Sequence, residues 1–361
     1  AAAIGTGSRW CQKATGIDGP WGSAPDFRKF ADYIAVCDAD SARRELAAGL
    51  GQEWTGSAPA LHSDYRAILD DPRIEIVHIS TPDHWHAKMA VEAMLAGIDV
   101  YLEKLMTLTI PEGRLLCDVC RRTGRIVQIG TQQRSERQFI EAVALAHAGR
   151  LGQLKRAVCS IGGAPQSPEL PVAAAPRTLD WNLWQGPAAE KEFRYLAGDN
   201  GETRSWSRCH YEFRWWYEYS GGKMTDWGAH HVDIAMWALG MDNSGPISVE
   251  GTAKHPVPFE NGMPTVKNRY NAATDFMVTA KFAGDVELII RHDTDNGVLI
   301  EGTEGRIFVS RGALKGAPAE DLAKNPLPED LLKQLYKGKE PKGGNNAHME
   351  NFFHCVKDRG L

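Results

Sequence analysis

The chain has 361 residues, 43% hydrophobic and 24% charged, enough for two hydrophobic cores and ordinary for a globular protein. Its 41 basic and 46 acidic residues leave a formal net charge of −5, which argues against a broad, sequence-independent nucleic-acid surface. No apolar run approaches the roughly 18 residues of a membrane-spanning helix, and seven cysteines, an odd number scattered from Cys11 to Cys355, do not form a disulfide framework.

In chain order, "AAAIG" reads as a strand running into "GTGSRW", and "DYIAVCD" (32–38) as a second strand ending on an acid. "IEIVHIS" (74–80) is a third, followed by "TPDHWH" and the helix-like "HAKMAVEAMLAG" (86–97). "DVYLEK" (99–104) reads as strand, "PEGRLLCDVCRRTG" (111–124) as helix and "RIVQIGT" (125–131) as strand. Short β-favouring runs alternating with amphipathic segments predict βαβ units and a doubly wound parallel sheet. Cys117 and Cys120 have CxxC spacing but sit inside a helical pattern with no second pair, so they read as small core residues.

Gly5-Thr6-Gly7 follows the first strand, where a dinucleotide's pyrophosphate needs a tight turn and a close backbone approach. Ser8 and Arg9 continue this turn, and Trp10 takes the place of the third glycine of GxGxxG. Asp38, at the end of the second strand, suits the ribose hydroxyls and would repel a 2′-phosphate, which favours NAD over NADP. Further polar clusters fall at strand ends: Ser80-Thr81-Pro82-Asp83-His84, Glu103-Lys104 and Gln132-Gln133-Arg134. An H-x-H at His84 and His86 is a weak metal signal, and no metal site is expected.

After "EAVALAHAGRLG" (141–152) the pattern changes to successive strands, "QLKRAVCSIGG", "DFMVTAKFA", "VELIIRHD" and "GVLIEGTEGRIFVS", with a Trp-rich stretch among them. This predicts an α+β second domain with a mostly antiparallel sheet, and a division at residues 1–135 and 136–361. Within "GGKMTDWGAHHVDIAMW" (221–237), a continuous helix would place Asp226, His230, Asp233 and Trp237 within about 60° of one another. Val232, Ala235, Met236 and Leu239 form a separate apolar stripe. Asp226, four residues before His230, would then hold the imidazole and raise its basicity.

The blocks "GTGSR", "AVCDAD", "STPDHWHAKMAVEAMLAGIDVYLEK", "IGTQQRS" and "GGKMTDWGAHHVDIAMW" resemble the Gfo/Idh/MocA family of dehydrogenases, related to glucose–fructose oxidoreductase and inositol dehydrogenase. The resemblance implies an N-terminal Rossmann domain and a C-terminal domain with a large open-faced sheet that commonly forms homodimer or homotetramer interfaces. It also implies NAD(P) and a sugar or polyol substrate, with catalysis by Lys104, Asp226 and His230. The family's E-K-P reads E-K-L here, with Leu105 for proline.

On this reading His230 takes the hydroxyl proton, Asp226 orients it and Lys104 polarises the reacting oxygen. Gln133, Arg134, His210, Tyr217 and His231 are candidate substrate ligands, and Trp206, Trp215 and Trp216 candidate stacking platforms. Two alternatives use the same residues: a redox-neutral glycosidase or lyase with recycled NAD, and a sugar- or cofactor-sensing protein without turnover. The start at "AAAIGTG" without Met is consistent with a removed leader, twin-arginine signals being found among relatives, so both a cytoplasmic and a periplasmic home are open. The end at "HCVKDRGL" falls short of where relatives usually continue.

Overall fold

A computed structural model describes residues 1–7, 10, 27–198, 205–335 and 345–360. The first large sheet is six-stranded and wholly parallel, in the order β3-β2-β1-β4-β5-β6. Its strands are β1 (Ala2–Ile4), β2 (Ala35–Cys37), β3 (Ala60–His62), β4 (Ile76–Ile79), β5 (Asp99–Leu102) and β6 (Val127–Ile129). β1, β2, β4 and β5 are buried at every position, as expected for a parallel sheet covered on both faces.

The helices α1 (Ser41–Thr55), α2 (Asp83–Leu95) and α3 (Ile110–Thr123) connect these strands. Local signals bound them. Asp40 caps α1 by accepting from Ala42 N, and α3 opens with a Thr109–Glu112 capping box and closes on left-handed Gly124. The strand order reverses between β1 and β4, which opens a crevice beyond their carboxyl ends.

Helix α4 (Arg137–His147) leads into the second large sheet. Its strands are β7 (Leu154–Ser160), β8 (Ser248–Lys254), β9 (Asp275–Phe282), β10 (Val286–Arg291), β11 (Gly297–Gly302), β12 (Arg306–Ser310) and β13 (Ala313–Lys315). The order is β8-β9-β10-β7-β11-β12-β13, antiparallel throughout except for the parallel β10–β7 pair, where the entering strand is inserted between two later ones.

In β10, buried Val286, Leu288 and Ile290 alternate with half-buried Glu287, Ile289 and Arg291, so one face of the sheet is covered. The cover is α4 together with α5 (Lys223–Asp226) and α6 (Gly228–Ala238); Phe139, Val143, Ile234 and Ala235 pack on Leu288, Ile290, Val298 and Ile300. An N-terminal Rossmann sheet and a C-terminal mixed-sheet domain thus correspond to the expected fold class.

One expectation needs correction. The division at 135/136 assigns the whole C-terminal stretch to the second domain, yet α7 (Asn345–Asp358) packs on the first sheet. Met349, Phe352 and Phe353 share a core with Phe27, Tyr33 and Tyr101, and His348 Nε2 lies 3.0 Å from the Ile129 carbonyl. Trp10, in the place of the third glycine, is fully buried against Tyr33 and Trp54 at ring distances of 5.4 and 5.8 Å. An aromatic cluster there replaces the close backbone packing that a glycine would allow.

The C-terminal helix should therefore hold the first domain together. Phe352 is 0% exposed, and Phe352→Ala is expected to lower stability by about 3–5 kcal/mol. A urea midpoint within error of the unsubstituted chain would show that α7 is not part of that core.

Candidate active site

The crevice is shaped by backbone that tolerates no side chain. Gly5 has φ +82°, and a Cβ there would sit 2.6 Å from Thr81 N and 2.7 Å from the Ser80 carbonyl carbon. The turn after β1 thus lies directly on the end of β4, and only glycine fits. The pocket above is lined by Gly5, Gly7, Asp38, Ser80, Thr81, Pro82, Glu103 and Lys104 from the first domain, and by Trp184, His210 and Arg214 from the second.

Asp38 is held at the end of β2: its Oδ2 accepts from Thr6 N (2.7 Å) and Thr6 Oγ1 (3.3 Å), and its Oδ1 from Asp40 N (3.0 Å). Thr6 is buried outside the lining and acts as the clamp on Asp38. Glu103 is 2% exposed and accepts from Gln132 Nε2 at 3.2 Å; Gly130 faces it because a Cβ there would lie 2.8 Å from Glu103 Oε2. Thr81 Oγ1 is buried with no partner among the described residues. Ser8 and Arg9 lie outside the described residues.

This lining fits a dinucleotide. Gly5 and Gly7 would admit the phosphates, Asp38 would take ribose hydroxyls, and the Thr81 hydroxyl is a polar group awaiting a partner. His84 does not join them. The first turn of α2 directs it at the second domain, where Nε2 lies 3.1 Å from the Trp184 carbonyl and the ring packs on Trp184 and Tyr219. Burial lowers its pKa to about 4.

At the far end, the Lys104 ammonium donates to the Asp226 carboxylate and, at 2.9 Å, to the Asp226 carbonyl, joining residues 122 positions apart. Arg214 Nε approaches the same carboxylate oxygen at 3.3 Å. All three side chains are nearly enclosed, with exposures of 9%, 11% and 13% for Lys104, Asp226 and Arg214. Burial alone would raise the Asp226 carboxyl, but the two cations outweigh it and hold it far below the usual carboxylate range. The Lys104–Leu105 peptide bond is cis.

The expected Asp226–His230 pair is corrected here. Trp227, between α5 and α6, keeps α-region dihedrals, but the Asp226 carboxylate faces Lys104 and Arg214. His230 is 5% exposed on α6, and Trp237 lies in the core, so the polar stripe is an interior face.

Several expected substrate ligands are engaged elsewhere. Arg134 grips Asp233 through two bonds of 2.7 and 2.8 Å, reaches Asp242 at 2.9 Å and lies over Trp237. His231 is fully buried, with Nε2 2.9 Å from Asn296 Oδ1, and burial lowers its pKa to about 4. Gln133 is also fully buried; with its amide turned to satisfy both ends, it donates to the His230 carbonyl and accepts from Arg311 Nε, each at 3.2 Å.

Tyr217 bonds within the second domain, its hydroxyl 3.2 Å from His255 Nε2 and accepting from Ala273 N at 3.1 Å. His210 does line the pocket, with Nε2 3.2 Å from Asp40 Oδ2. Trp215 and Trp216 are core residues. Sequence reasoning missed Arg214 and gave no role to Asp83, which is buried in the pocket wall and accepts from Ser220 Oγ at 2.5 Å.

Residues 20–131 match the family model described as "Oxidoreductase family, NAD-binding Rossmann fold", and residues 166–342 match "Oxidoreductase family, C-terminal alpha/beta domain". The chain belongs to the Gfo/Idh/MocA family. Its dinucleotide domain is accordingly an NAD-binding one.

Among curated relatives, scyllo-inositol 2-dehydrogenase (NAD(+)) of Bacillus subtilis is 26% identical over 77% of this chain and 66% of that protein. Inositol 2-dehydrogenase 2 of Saccharopolyspora erythraea is 30% identical over 78% of this chain and 60% of that protein. The chain therefore spans less than two thirds of the length of some curated relatives it matches.

Levoglucosan dehydrogenase, solved with NADH and levoglucosan, superposes over 99% of this chain and 90% of its own with a TM-score of 0.61 at 20% identity. The WlbA dehydrogenase of Bordetella pertussis, solved with NADH and UDP-GlcNAcA, gives 0.61 at 16% identity over 99% and 95%. At such identities these two establish likeness of fold.

The two buried imidazoles make stability acid-sensitive. His84 and His231 favour the neutral form in the folded chain and regain an ordinary value near 6.5 when it unfolds. Unfolding then takes up protons, and stability falls as pH drops from about 6.5 toward 4. His84→Gln retains a donor for the Trp184 carbonyl but does not titrate. It is expected to flatten the stability–pH slope in that window by up to about 1.4 kcal/mol per pH unit, measured by denaturant unfolding. An unchanged slope would show that His84 does not contribute to it.

Proposed function

We propose that this protein is an NAD-dependent sugar or polyol dehydrogenase or reductase, transferring hydride between the nicotinamide and a hydroxyl-bearing carbon. The observation that carries the reading is the Lys104–Asp226 ion pair at the head of the dinucleotide pocket, contributed by both domains. The names of the inositol dehydrogenase relatives support the substrate class.

Bound NAD supplies the hydride acceptor or donor. The chain's own residues do the rest. Lys104, at the end of β5, lines the pocket and donates to the reacting oxygen as charge develops on it. Asp226 fixes the direction of the Lys104 ammonium by taking it at both its carboxylate and its carbonyl. His230, enclosed on α6, takes the hydroxyl proton in oxidation and returns it in reduction.

Pro82, Thr81 and Trp184 wall the pocket and keep water from the reacting carbon. The substrate is a small molecule, and the protein partner is a second copy of this chain.

Lys104→Ala and His230→Ala should each lower kcat at least 10²-fold, the scale of a lost acid–base group, while NADH binding followed by fluorescence stays within threefold. Unimpaired turnover in both variants would refute the assignment. Loss of NADH binding in either would mean that the residue serves the cofactor instead.

A further inference from the structure

Around the Lys104–Asp226 contact, three cations gather about one carboxylate. Lys104 and Arg214 share Asp226, and Lys223, the first residue of α5, lies within electrostatic reach of all three. Lys223 itself has no hydrogen-bond or ion-pair partner among the described residues. Its ammonium is flanked by aromatic rings, 5.7 Å from the Trp215 centroid and 5.9 Å from that of Trp227.

The second carboxyl nearby, Asp83, accepts from Ser220 Oγ, and burial pushes its pKa up despite His86 and Lys104. Even with Asp83 ionised, Lys104, Arg214 and Lys223 outnumber Asp226 and Asp83. Burial, together with Lys104 and Arg214, lowers the Lys223 pKa against the pull of Asp226, as expected for a cation lacking its own counter-ion.

Donors are also in excess. Arg214 spends Nε on Asp226 and Nη1 on the Tyr211 carbonyl (3.0 Å), with the Tyr211 and Phe213 rings 4.5 and 4.7 Å from its guanidinium. Among the described residues Nη2 makes no bond, although Arg214 lines the pocket. A neutral hydroxyl would leave the charge uncompensated in a poorly solvated site, where Coulomb interactions are strong. An anionic oxygen group would satisfy both the charge and the unused Arg214 donor.

We infer that the substrate is an anionic sugar, its carboxylate or phosphate held by Lys223 and Arg214 at the end of the pocket beyond Lys104. This rests on the oxidoreductase reading above and narrows its substrate class. Lys223 and Arg214 then set specificity by charge: the anion is the counter-ion that the folded site lacks.

The test uses the full chain loaded with NADH, titrated calorimetrically with matched sets in gluco, galacto and manno configuration. Each set contains the neutral hexose, its uronate and its 6-phosphate. NADH formation from NAD is assayed in parallel with the same compounds and with the alditol–aldonate pairs. At least tenfold tighter binding of an anionic member than of its neutral counterpart supports the inference, and uronate against phosphate identifies the group.

Lys223→Met should cut that ratio at least tenfold. If the protein still binds NADH, an unchanged ratio overturns the role of Lys223. Equal or tighter binding of the neutral sugars, or no binding of any anion at millimolar concentration, overturns the inference. NADH formation from neutral sugars alone overturns it and leaves the oxidoreductase reading intact. Anion binding with no NADH formed from NAD, and none consumed with the matching keto sugars, upholds the site and sinks that reading.

Discussion

The buried contact between Lys104 and Asp226 is the constraint on which the arrangement of the two domains turns. Desolvating both charges is expensive, so the contact persists only where geometry and neighbours compensate. Here Arg214 supplies a second cation, the Asp226 carbonyl a second acceptor, and the surrounding side chains an enclosure that keeps water out. Removing one partner would strand the other, at a cost of about 3–5 kcal/mol. That cost obliges the end of β5 and the start of α5 to remain in register.

The rest of the seam can be understood as support for that register. Ser41 N donates to the Thr178 carbonyl at 2.8 Å and Asp180 N to the Ala39 carbonyl at 3.0 Å, stitching the chain after β2 to the second domain. Trp85 Nε1 and His84 Nε2 both reach the Trp184 carbonyl, so the opening turn of α2 is anchored across the boundary as well. Asp40 joins in through His210, and its carboxyl is lowered to about 2: burial pushes it up, and the bonds from His210 and Thr178 outweigh that. Two imidazoles that look like site residues in the sequence, His84 and His210, thus have partners that brace the walls of the pocket.

How much of this could be read from the sequence depends on how local each determinant is. Five of the six parallel strands were legible because burial on both faces leaves a mostly apolar run, whereas β3, at the sheet edge and largely exposed, carries none. Gly5 was legible from its place in the turn after β1. Lys104 and Asp226 were found through motifs, but their mutual contact was not, since it joins distant positions across two sheets. The pairing of Asp226 with His230 left out the two cations, Lys104 and Arg214, that other segments bring to the carboxylate. Arg134 looked like a free strand-end cation, yet Asp233 and Asp242 approach it from segments about a hundred positions away. Arg214 sits in a short 3-10 segment, His210–Trp215, whose aromatic composition gives no periodic signal of which side chain faces a cleft.

The docking of α7 on the first sheet has a consequence for how the molecule is made. Phe27, whose ring lies 5.0 Å from Phe353 and 6.4 Å from Phe352, belongs to a layer of the dinucleotide domain that closes only when those residues arrive. On a ribosome they emerge only after every strand of the second sheet. The nucleotide-binding half, although it comes first in sequence, is therefore completed only after the second sheet has been made. Until then it exposes an apolar patch that the growing chain must keep from other molecules.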